Sequence, residues 1–415
     1  MSSICLLSHG QPSANPRLVR DASALAKAGH TVRVVTARFD TNLIEHDEKL
    51  VRGLSWRYES ANLRGSNGGS YGWDFIRFRR RISAELANWL PLESLVALGY
   101  AYGNPEVARL AAKERADLYV AYQHNSLPAA TFAARRNRSK FALDAQDLLA
   151  DYSADPIRLA ASLEKRYLSR CAYVSTMSEA AAKRLQETNK LENPPIVLHN
   201  TPSLLERGGV IPPLQRSPSE PISLYWFGQT IGAQSCARQV IAAMPLLRKP
   251  VQLVLRGRPD EAFVAELKSQ AHKLGLSQRL QICARAEPTE MVRLAAEHDI
   301  LLGTQPGIEL FNQMAIGNKV FTGMMAGLAL ALSDTIAHRQ LMAEAQGCGF
   351  LFRDGDVESL ASQLNELIAN REKLERMKLT SWNLAETRFN WEEESKTLLH
   401  TIDRVLPVSA AAISA

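Results

Sequence analysis

The sequence predicts an α/β protein with two doubly wound domains. Short β-branched runs alternate with longer stretches of helical periodicity, the pattern of βαβ units around parallel sheets. The chain has 415 residues, more than one hydrophobic core usually serves. A segment rich in Pro and Gly, 203–221, cannot continue a helix or a central strand. We therefore expect a first domain over 1–202, a linker over 203–221, a second domain over 222–386 and a C-terminal helical segment over 387–415.

Strand candidates lie on both sides of the linker. Each is a short run of β-branched, aromatic or aliphatic residues bounded by turn-forming residues. Because helices separate them, we expect parallel sheets that bind ligands at the carboxyl ends of their strands. The candidates are residues 4–9, 31–37, 54–59, 117–122, 140–145, 172–177 and 196–200 before the linker, and 224–228, 251–257, 280–285, 300–304, 328–333 and 349–352 after it.

Composition excludes several classes of protein. Hydrophobic residues make up 46% and charged residues 22% of the chain, which excludes disordered, collagen-like and coiled-coil chains. No apolar run approaches the roughly 18 to 20 residues that cross a bilayer, and the N-terminus lacks the features of a signal peptide, so we expect a cytoplasmic protein. The five cysteines are widely spaced without a CxxC motif, so neither disulfides nor a zinc site is expected.

Positive charge is concentrated in the first half of the chain. Residues 1–200 hold 27 Lys and Arg against 20 Asp and Glu, whereas residues 201–415 hold 22 against 23. This asymmetry favours an anionic partner for the first half, although scattered cations that only keep the protein soluble are the alternative. We interpret one basic cluster as a contact with lipid phosphate at the inner face of a membrane, since no nucleic-acid-binding module surrounds it. The cluster consists of Arg77, Arg79, Arg80 and Arg81.

The turn after the first strand is the clearest candidate for anion binding. Asn15 is a good N-cap and Pro16 suits the first helical position, so a helix should begin here. Its free N–H groups would face the ligand-binding edge, with Gly10 in the turn and Arg17 as a charged donor. His9 ends the strand and is a second candidate at this edge. A phosphate or carboxylate is the expected ligand, and a capped turn with nothing bound is the alternative.

Several segments together resemble the bacterial glycosyltransferases of family 4. They are SHGQPSANPRLVRDASALAKAGHTVRVVTA, ADLYVAYQHNSLPAATFAARR, KFALDAQD, LYWFGQTIG, VQLVLRGRPD, and GNKVFTGMMAGLALALSD followed by GCGFLFRDGDVESLASQL. The resemblance implies the GT-B architecture, in which two Rossmann-like domains face each other across a cleft. It also implies a last helix that crosses back to the first domain, and FNWEEESKTLL matches the start of that helix.

The resemblance also implies a function. Such enzymes move a hexose or deoxyhexose from a UDP-, GDP- or TDP-linked donor to a glycan, lipid-linked or protein acceptor, often in the synthesis of cell-surface polysaccharide. The resemblance implies retention of configuration. We expect no metal or other cofactor, because cations and backbone N–H groups stabilise the departing diphosphate. The acceptor is expected on the first domain and the nucleotide-sugar on the second.

Donor-side candidates lie in the second half. Asn318 and Lys319 precede a predicted helix, and Lys319 is the expected contact for the diphosphate leaving group. Arg256 and Arg258 end a strand, where an arginine can pair bidentately with phosphate, and Arg256 is a catalytic candidate for that reason. The first strand of this domain ends in a loop whose backbone N–H groups are expected to approach phosphate. The candidates are Gly228 and Gln229 at the strand end and Gly232 in the loop.

The chain departs from the family pattern at several donor-side positions. The second Glu of the usual E-x7-E motif, which binds the donor ribose, aligns with Thr322, and the first aligns with Met314. Glu309 is a substitute candidate for the sugar hydroxyls. Arg238 is a candidate to replace the arginine missing from the loop after the first strand. These departures fit either a divergent enzyme or a degenerate GT-B scaffold that binds a glycan or a partner protein.

His124 is the acceptor-side catalytic candidate. The family often has a histidine where this chain has Tyr122, and His124 lies two residues further on. Because side chains alternate along a strand, a shift of two keeps the imidazole on the same face, where it would take the acceptor hydroxyl's proton or bond to the donor sugar. A solvent-facing loop histidine is the alternative.

Overall fold

The computed structural model of the chain describes residues 1–64, 70–148, 150, 157–307 and 309–406. The chain divides into two compact units. The first contains Met1–Leu198 together with the chain from Ser395 onward, and the second contains His199–Glu394. Residues 407–415, the end of the predicted C-terminal segment, lie outside the described residues.

The first unit is built on a parallel sheet of seven strands. Its strand order is β3-β2-β1-β4-β5-β6-β7, and every neighbouring pair runs parallel. The strands are β1 (Ser3–Ser8), β2 (Thr31–Arg38), β3 (Arg57–Asn62), β4 (Leu118–Tyr122), β5 (Lys140–Asp144), β6 (Val174–Thr176) and β7 (Ile196–Val197). Its helices are α1 (Pro16–Lys27), α2 (Ile44–Val51), α3 (Ser70–Trp89), α4 (Glu93–Tyr100), α5 (Asn104–Ala111), α6 (Leu127–Asn137), α7 (Ile157–Tyr167) and α8 (Glu179–Asn189).

The second unit is built on a parallel sheet of six strands. Its strand order is β10-β9-β8-β11-β12-β13. The strands are β8 (Ile222–Ile231), β9 (Val251–Pro259), β10 (Leu280–Cys283), β11 (Ile300–Gly303), β12 (Ala329–Ser333) and β13 (Gly349–Phe352). Its helices are α9 (Ala237–Ala243), α10 (Glu261–Lys273), α11 (Met291–Ala295), α12 (Leu310–Met314), α13 (Asn318–Ala326), α14 (Ile336–Glu344), α15 (Val357–Ala369) and α16 (Arg371–Thr387). The chain then enters α17 (Trp391–Val405), which begins in this unit and ends in the first.

The prediction of two Rossmann-like α/β domains is confirmed, since every predicted strand forms. Most strands differ from the prediction by one or two residues at an end, and three of them, β3, β7 and β8, differ by three residues. β3 begins later than expected because Trp56 is buried and its indole N–H donates to Ser23 Oγ at 3.1 Å, so pairing with β2 starts only at Arg57. β8 continues beyond its predicted end at Gly228 to Ile231.

Buried aliphatic side chains explain why these runs form central strands. β1, β4 and β12 are almost completely buried, as expected for parallel strands covered by helices on both faces. The proline-rich segment 203–221 lies within the second unit. There the guanidinium of Arg207 stacks 3.5 Å from the ring centroid of Trp382. Among the described residues, no helix is both long enough and apolar enough to span a membrane.

Candidate active site

Each sheet has one point at which the strand order reverses direction. In the first unit this point lies between β1 and β4, and in the second it lies between β8 and β11. In open parallel sheets, a crevice for ligands forms outside the carboxyl ends of the strands at such points. The loops that follow these four strands therefore form two candidate ligand-binding edges, one on each sheet.

His9 lies at the reversal point of the first sheet. Its backbone N–H donates to Ser126 Oγ at 3.1 Å, and its Nδ1 lies 3.1 Å from the same oxygen, so the ends of β1 and β4 are joined. Burial lowers the pKa of His9 to about 4, although Glu106 opposes the shift. The ring is therefore neutral at physiological pH, and its Nε2 has no hydrogen-bond partner among the described residues.

His124 is placed differently from the prediction. Its ring is completely buried, and Nε2 lies 2.8 Å from Oε1 of Glu164. The other oxygen of Glu164 accepts from Asn189 at 3.0 Å. A ring without an exposed atom cannot take a proton from an acceptor, so the expectation that His124 acts as the base is corrected. The preceding Gln123 has a φ of 69°, which is strained for a non-glycine residue at this strand end.

Arg17 and Tyr122 also point into the protein interior. Arg17 Nη2 donates to Asp144 Oδ1 at 2.9 Å, and Nη1 donates to the carbonyl of Leu198 at 2.7 Å. The hydroxyl of Tyr122 donates to Asp21 at 2.5 Å. Burial raises the pKa of Asp21 to about 6, against the opposing charge of Arg17. Because both side chains are buried, the predictions that they bind phosphate or acceptor directly are corrected.

The turn after β1 leads into a helix that begins where the sequence predicts. Asn15 caps α1, since its side chain accepts from the N–H of Leu18 at 3.2 Å, and the predicted helix start is confirmed. Buried Asp47 holds the turn through Ser13, whose N–H donates to its Oδ1 at 2.9 Å. Gly10 is half-buried at the carboxyl end of β1. The turn therefore keeps a fixed shape at the edge where ligands bind.

In the second unit, β8 is irregular where two candidates lie. The register with β9 shifts between Phe227 and Thr230, so Gly228 and Gln229 fall outside the regular ladder. Gly257 on β9 approaches so closely that a Cβ atom there would lie 2.6 Å from the Gly228 carbonyl oxygen. Only glycine fits this contact. Gly232 follows the strand, and its carbonyl accepts from the Ser235 hydroxyl at 2.7 Å.

Lys319 is the most unusual charged group of the second unit. Helix α13 begins at Asn318, two residues earlier than predicted, without a side-chain cap. The ammonium nitrogen of Lys319 lies 4.7 Å from the ring centroid of Trp226 on β8. Burial lowers the pKa of Lys319 to about 8, and the Cys236 thiol opposes this shift only in part. No ion pair or hydrogen bond to this nitrogen is found among the described residues, and the buried indole N–H of Trp226 also lacks a partner.

The two predicted arginines of β9 differ in their surroundings. Arg256 Nε donates to the hydroxyl of Tyr225 at 3.0 Å, and Nη1 donates to the carbonyl of Ala284 at 3.0 Å. These contacts fix its guanidinium beside the end of β10. Arg258 is exposed. It lies opposite Thr230, just beyond the irregularity of β8.

Two other donor-side candidates are already engaged. Arg238 donates twice to Glu266 on α10, with both distances 2.6 Å, so this exposed ion pair directs its guanidinium to α10 and not to the loop after β8. The hydroxyl of buried Thr322 donates to the carbonyl of Asn318 at 3.1 Å within α13, so it does not replace a ribose-binding carboxylate. Both roles are corrected. Glu309 is half-buried at the N-cap position of α12.

Two residues at the carboxyl edge of the second sheet, Asp354 and His338, were not among the candidates from the sequence. Asp354, after β13, accepts from the N–H of Gly307 at 2.8 Å and from the Cys236 thiol at 3.7 Å. It thereby joins the loops that follow β8, β11 and β13. Nδ1 of His338 lies 2.8 Å from the Ser333 carbonyl, and burial lowers the pKa of His338 to about 4. These residues share no spacing that marks them in the sequence.

The predicted basic cluster on α3 is divided by the helix. Arg79 donates twice to Glu106, at 3.0 and 2.8 Å. The guanidinium of Arg80 stacks 4.5 Å from the ring centroid of Tyr102. Arg77 and Arg81 are exposed. The interpretation of four arginines as one lipid-phosphate contact is therefore corrected, because two of the four serve internal packing.

The two edges differ in their chemical capacity. The second unit offers an unpaired cation, an uncapped helix start and an indole N–H, which together suit an anionic ligand. The first unit offers a neutral imidazole. Within the described ranges, no cluster of three or more His, Cys, Asp or Glu side chains is arranged to hold a metal ion.

Comparison with known proteins defines the class. The model of the glycosyl transferase 4-like domain matches residues 14–201, and that of glycosyl transferases group 1 matches residues 222–370. No curated protein matches the chain in sequence. Three solved structures share the fold. Anabaena HepE in complex with UDP and glucose is 18% identical, with a TM-score of 0.69, and the match covers 97% of this chain and 100% of that one. Sucrose-phosphate synthase from Thermosynechococcus elongatus is 16% identical, with a TM-score of 0.73 and coverage of 99% of this chain and 100% of that one, and the apo form of the lipopolysaccharide outer core galactosyltransferase WaaB is 13% identical, with a TM-score of 0.65 and coverage of 97% and 99% in the same order.

These matches show a glycosyltransferase of the GT-B type. Together the two family models cover most of the chain, one on each sheet. The chain belongs to the glycosyltransferase family 4-like group, as its sequence resemblance implies.

We predict that the Arg17–Asp144 pair is needed for stability of the first unit. The substitution Arg17→Leu leaves the Asp144 carboxylate buried beside Ser175 without its cation. The expected loss is about 3 kcal/mol in the free energy of unfolding, measured by urea titration. Lys183→Ala is the control, because this exposed lysine lies 3.8 Å from Glu187 on the same helix face. It should change stability by less than about 0.5 kcal/mol. Equal effects of the two substitutions would contradict this account.

Proposed function

We propose that this chain transfers a sugar from a nucleotide-sugar donor to a glycan, lipid-linked or protein acceptor, with retention of configuration and without a metal. The observation that carries the proposal is the unpaired ammonium of Lys319 at the reversal point of the second sheet. A glycosyl transfer releases a nucleoside diphosphate, and its developing negative charge needs a fixed cation. Lys319 meets that need and is our candidate for the leaving-group contact.

The surroundings of Lys319 suit a diphosphate. Its first-turn backbone N–H groups belong to a helix without a side-chain cap, and the helix dipole favours an anion there. The side chain of Lys319 is partly buried, which strengthens the attraction of its ammonium for a phosphate oxygen. Gly228, Gln229 and the exposed Arg258 lie on β8 and β9 of the same sheet, and we assign further phosphate contacts to them.

Arg256 has a different part in this proposal. Its guanidinium is held by Tyr225 and by the carbonyl of Ala284, so its position is fixed before a ligand arrives. A preorganised cation of this kind stabilises developing charge without the cost of reorganisation. We therefore keep Arg256 as a second candidate for contact with the donor phosphates. Asn318 and Glu309 remain candidates for the donor sugar.

The acceptor is assigned to the first unit, as in the family that the chain resembles. His9 is the remaining titratable candidate there, because the structure buries His124 completely. The imidazole of His9 is neutral, and its buried Nε2 has no hydrogen-bond partner among the described residues, so we keep His9 as a candidate for a hydrogen bond to the acceptor and not for proton transfer. Gly10 and the first turn of α1 flank it. We expect the reaction to serve cell-surface polysaccharide or glycoconjugate synthesis, and UDP-hexoses are the first donors to test because Anabaena HepE binds UDP and glucose.

A second candidate function is a non-catalytic GT-B scaffold. It is favoured by the engagement of Arg238 with Glu266 and by the internal hydrogen bond of Thr322, which remove two expected donor contacts. Calorimetric titration with UDP-, GDP- and TDP-sugars separates the two. Binding followed by turnover supports the enzyme, whereas the absence of binding to every donor supports the scaffold.

We predict that Lys319→Ala lowers kcat/KM by about 100-fold to 1,000-fold with the true donor, because an anion-stabilising contact is lost. The measurement is steady-state kinetics with release of the nucleoside diphosphate as the readout. Lys268→Ala on α10 is the matched control, since this lysine is exposed in the same unit. An unchanged kcat/KM for Lys319→Ala would remove this residue from the mechanism.

We also predict a basic limb in the pH profile of kcat/KM. The pKa of Lys319 is lowered to about 8, so the ammonium loses its proton as pH rises through that value, and activity should fall there. In Lys319→Arg the side chain stays protonated over this range, so its remaining activity should not show the same limb. A wild-type profile that stays flat between pH 7 and pH 9 would contradict the assignment.

A donor should also stabilise the folded chain. At 100 times its Kd, a ligand that binds only the native state adds about 2.7 kcal/mol. Thermal unfolding with a panel of nucleotide-sugars should therefore show a rise in Tm for one nucleobase, and the rise should be reduced in Lys319→Ala. If no nucleotide-sugar raises Tm in the wild type, the donor site proposed here does not exist.

A further inference from the structure

Gln305 carries a polar side chain whose buried oxygen has no partner. The residue lies just beyond the end of β11, at the point where the strand order of the second sheet reverses. It is half-buried, and its side-chain carbonyl oxygen Oε1 is buried without a hydrogen bond in the part of the chain that the structure describes. Buried polar atoms are rarely left in this state. At an edge where open parallel sheets bind ligands, such an oxygen indicates a hydrogen-bond donor that the ligand supplies.

The backbone of Gln305 is fixed in place. Its N–H donates to Ser333 Oγ at 2.9 Å. Ser333 is itself held, because its carbonyl accepts from His338 Nδ1 at 2.8 Å. Pro306 follows Gln305 and disfavours the helical conformation for it. The side chain of Gln305 therefore extends from a backbone that is already ordered before a ligand binds.

The groups on either side of Gln305 have partners within the protein. The hydroxyl of Thr304 donates to the carbonyl of Ser235 at 2.7 Å, in the loop after β8. The N–H of Gly307 donates to Asp354 at 2.8 Å, in the loop after β13. These contacts hold the loop after β11 between its neighbours, and they leave the amide of Gln305 for a ligand.

Gln305 lies in the same part of the second unit as Lys319. Burial raises the pKa of the Cys236 thiol to about 12, and the charge of Lys319 and a hydrogen bond with Thr304 both oppose this shift. One thiol therefore interacts with the residue next to Gln305 and with the ammonium. In a nucleotide-sugar the sugar is bonded directly to the diphosphate, so a side chain close to the proposed diphosphate contact is well placed to meet the sugar.

The amide of Gln305 suits a sugar hydroxyl. An amide has a carbonyl oxygen that accepts and an NH₂ group that donates, and a hydroxyl can donate and accept in return. The two positions that align with the family's carboxylates offer no equivalent, since Met314 has a thioether and the hydroxyl of Thr322 donates within α13. A sugar without the hydroxyl would leave Oε1 buried and unsatisfied, which costs binding free energy.

We infer that Gln305 is a specificity-determining residue for the donor, and that its amide binds a hydroxyl group of a neutral hexose. The chain then uses this hexose in preference to the deoxyhexose that lacks the hydroxyl. The inference rests on the proposed transferase function and goes beyond it, because it chooses between the two sugar classes that the sequence leaves open.

Kinetics with deoxy analogues of the donor test the inference. UDP-glucose, UDP-galactose, GDP-mannose and TDP-glucose are compared first, and the monodeoxy analogues of the sugar with the highest kcat/KM follow. The wild type should use one of these analogues about 10-fold to 100-fold less well than the parent sugar, because Oε1 loses its donor. In Gln305→Met, which keeps the length of the side chain without the amide, this ratio should fall below about threefold. The loss should fall on the parent sugar and leave kcat/KM for that analogue unchanged.

The affinity for UDP separates this inference from the proposed function. Gln305→Met should bind UDP as tightly as the wild type in calorimetry, because the amide contacts the sugar and not the diphosphate. The matched control is Gln346→Met, an exposed glutamine of the same unit, which should discriminate between the sugars as the wild type does.

Two results with an active wild type would overturn the inference alone. In the first, Gln305→Met discriminates between the parent sugar and every analogue as the wild type does. In the second, it lowers kcat/KM equally for all of them, which is the effect of a merely structural change. If the wild type neither binds nor transfers any of the nucleotide-sugars, the proposed function fails and the inference fails with it.

Discussion

Partial burial of a lysine side chain without a carboxylate beside its ammonium is the constraint that organises the second unit. Lys319 lies over the ring of Trp226, which offers attraction through its π-electrons but no negative charge. Burial disfavours the charged form, as the lowered pKa near 8 shows. An anionic ligand at this point would offset the cost of burying the charge, so the unpaired ammonium of Lys319 favours binding of a diphosphate. The close approach of Gly257 to Gly228 places the irregular part of β8 in the same sheet edge.

The first unit treats its charged groups in the opposite way. Arg17 is paired with Asp144, and His124 is paired with Glu164, all within the interior. These pairs fix the loops at the carboxyl ends of β1, β4 and β5 and leave few charges for a ligand. His9 is the exception, since burial keeps it neutral and one ring nitrogen has no partner among the described residues. The first unit therefore pairs these charged groups internally, whereas the second leaves the ammonium of Lys319 without a partner among the described residues.

The fold could be predicted because its signals are local. Each strand is a short apolar run, each crossover is a helix, and the cap of α1 lies within four residues of its partner, Asn15 with Leu18. Side-chain partners are not local. Arg17 finds Asp144 across 127 positions, His124 finds Glu164 across 40, and Arg238 finds Glu266 across 28. A sequence shows that a charge is present but not which distant charge neutralises it, so these three assignments failed. Lys319 could be proposed because it lies at a predicted helix start, which is a local signal, and because the family resemblance places that start beside the donor.

Proton uptake on binding of UDP tests the central claim most directly. At pH 8 about half of the Lys319 side chains are unprotonated, and contact with a diphosphate should restore the proton. Calorimetric titration in two buffers of different ionisation enthalpy measures this uptake. The account predicts about half a proton taken up for each UDP bound by the wild type and none by Lys319→Arg. Binding of UDP with no proton uptake by the wild type, or with equal uptake by both proteins, would contradict it.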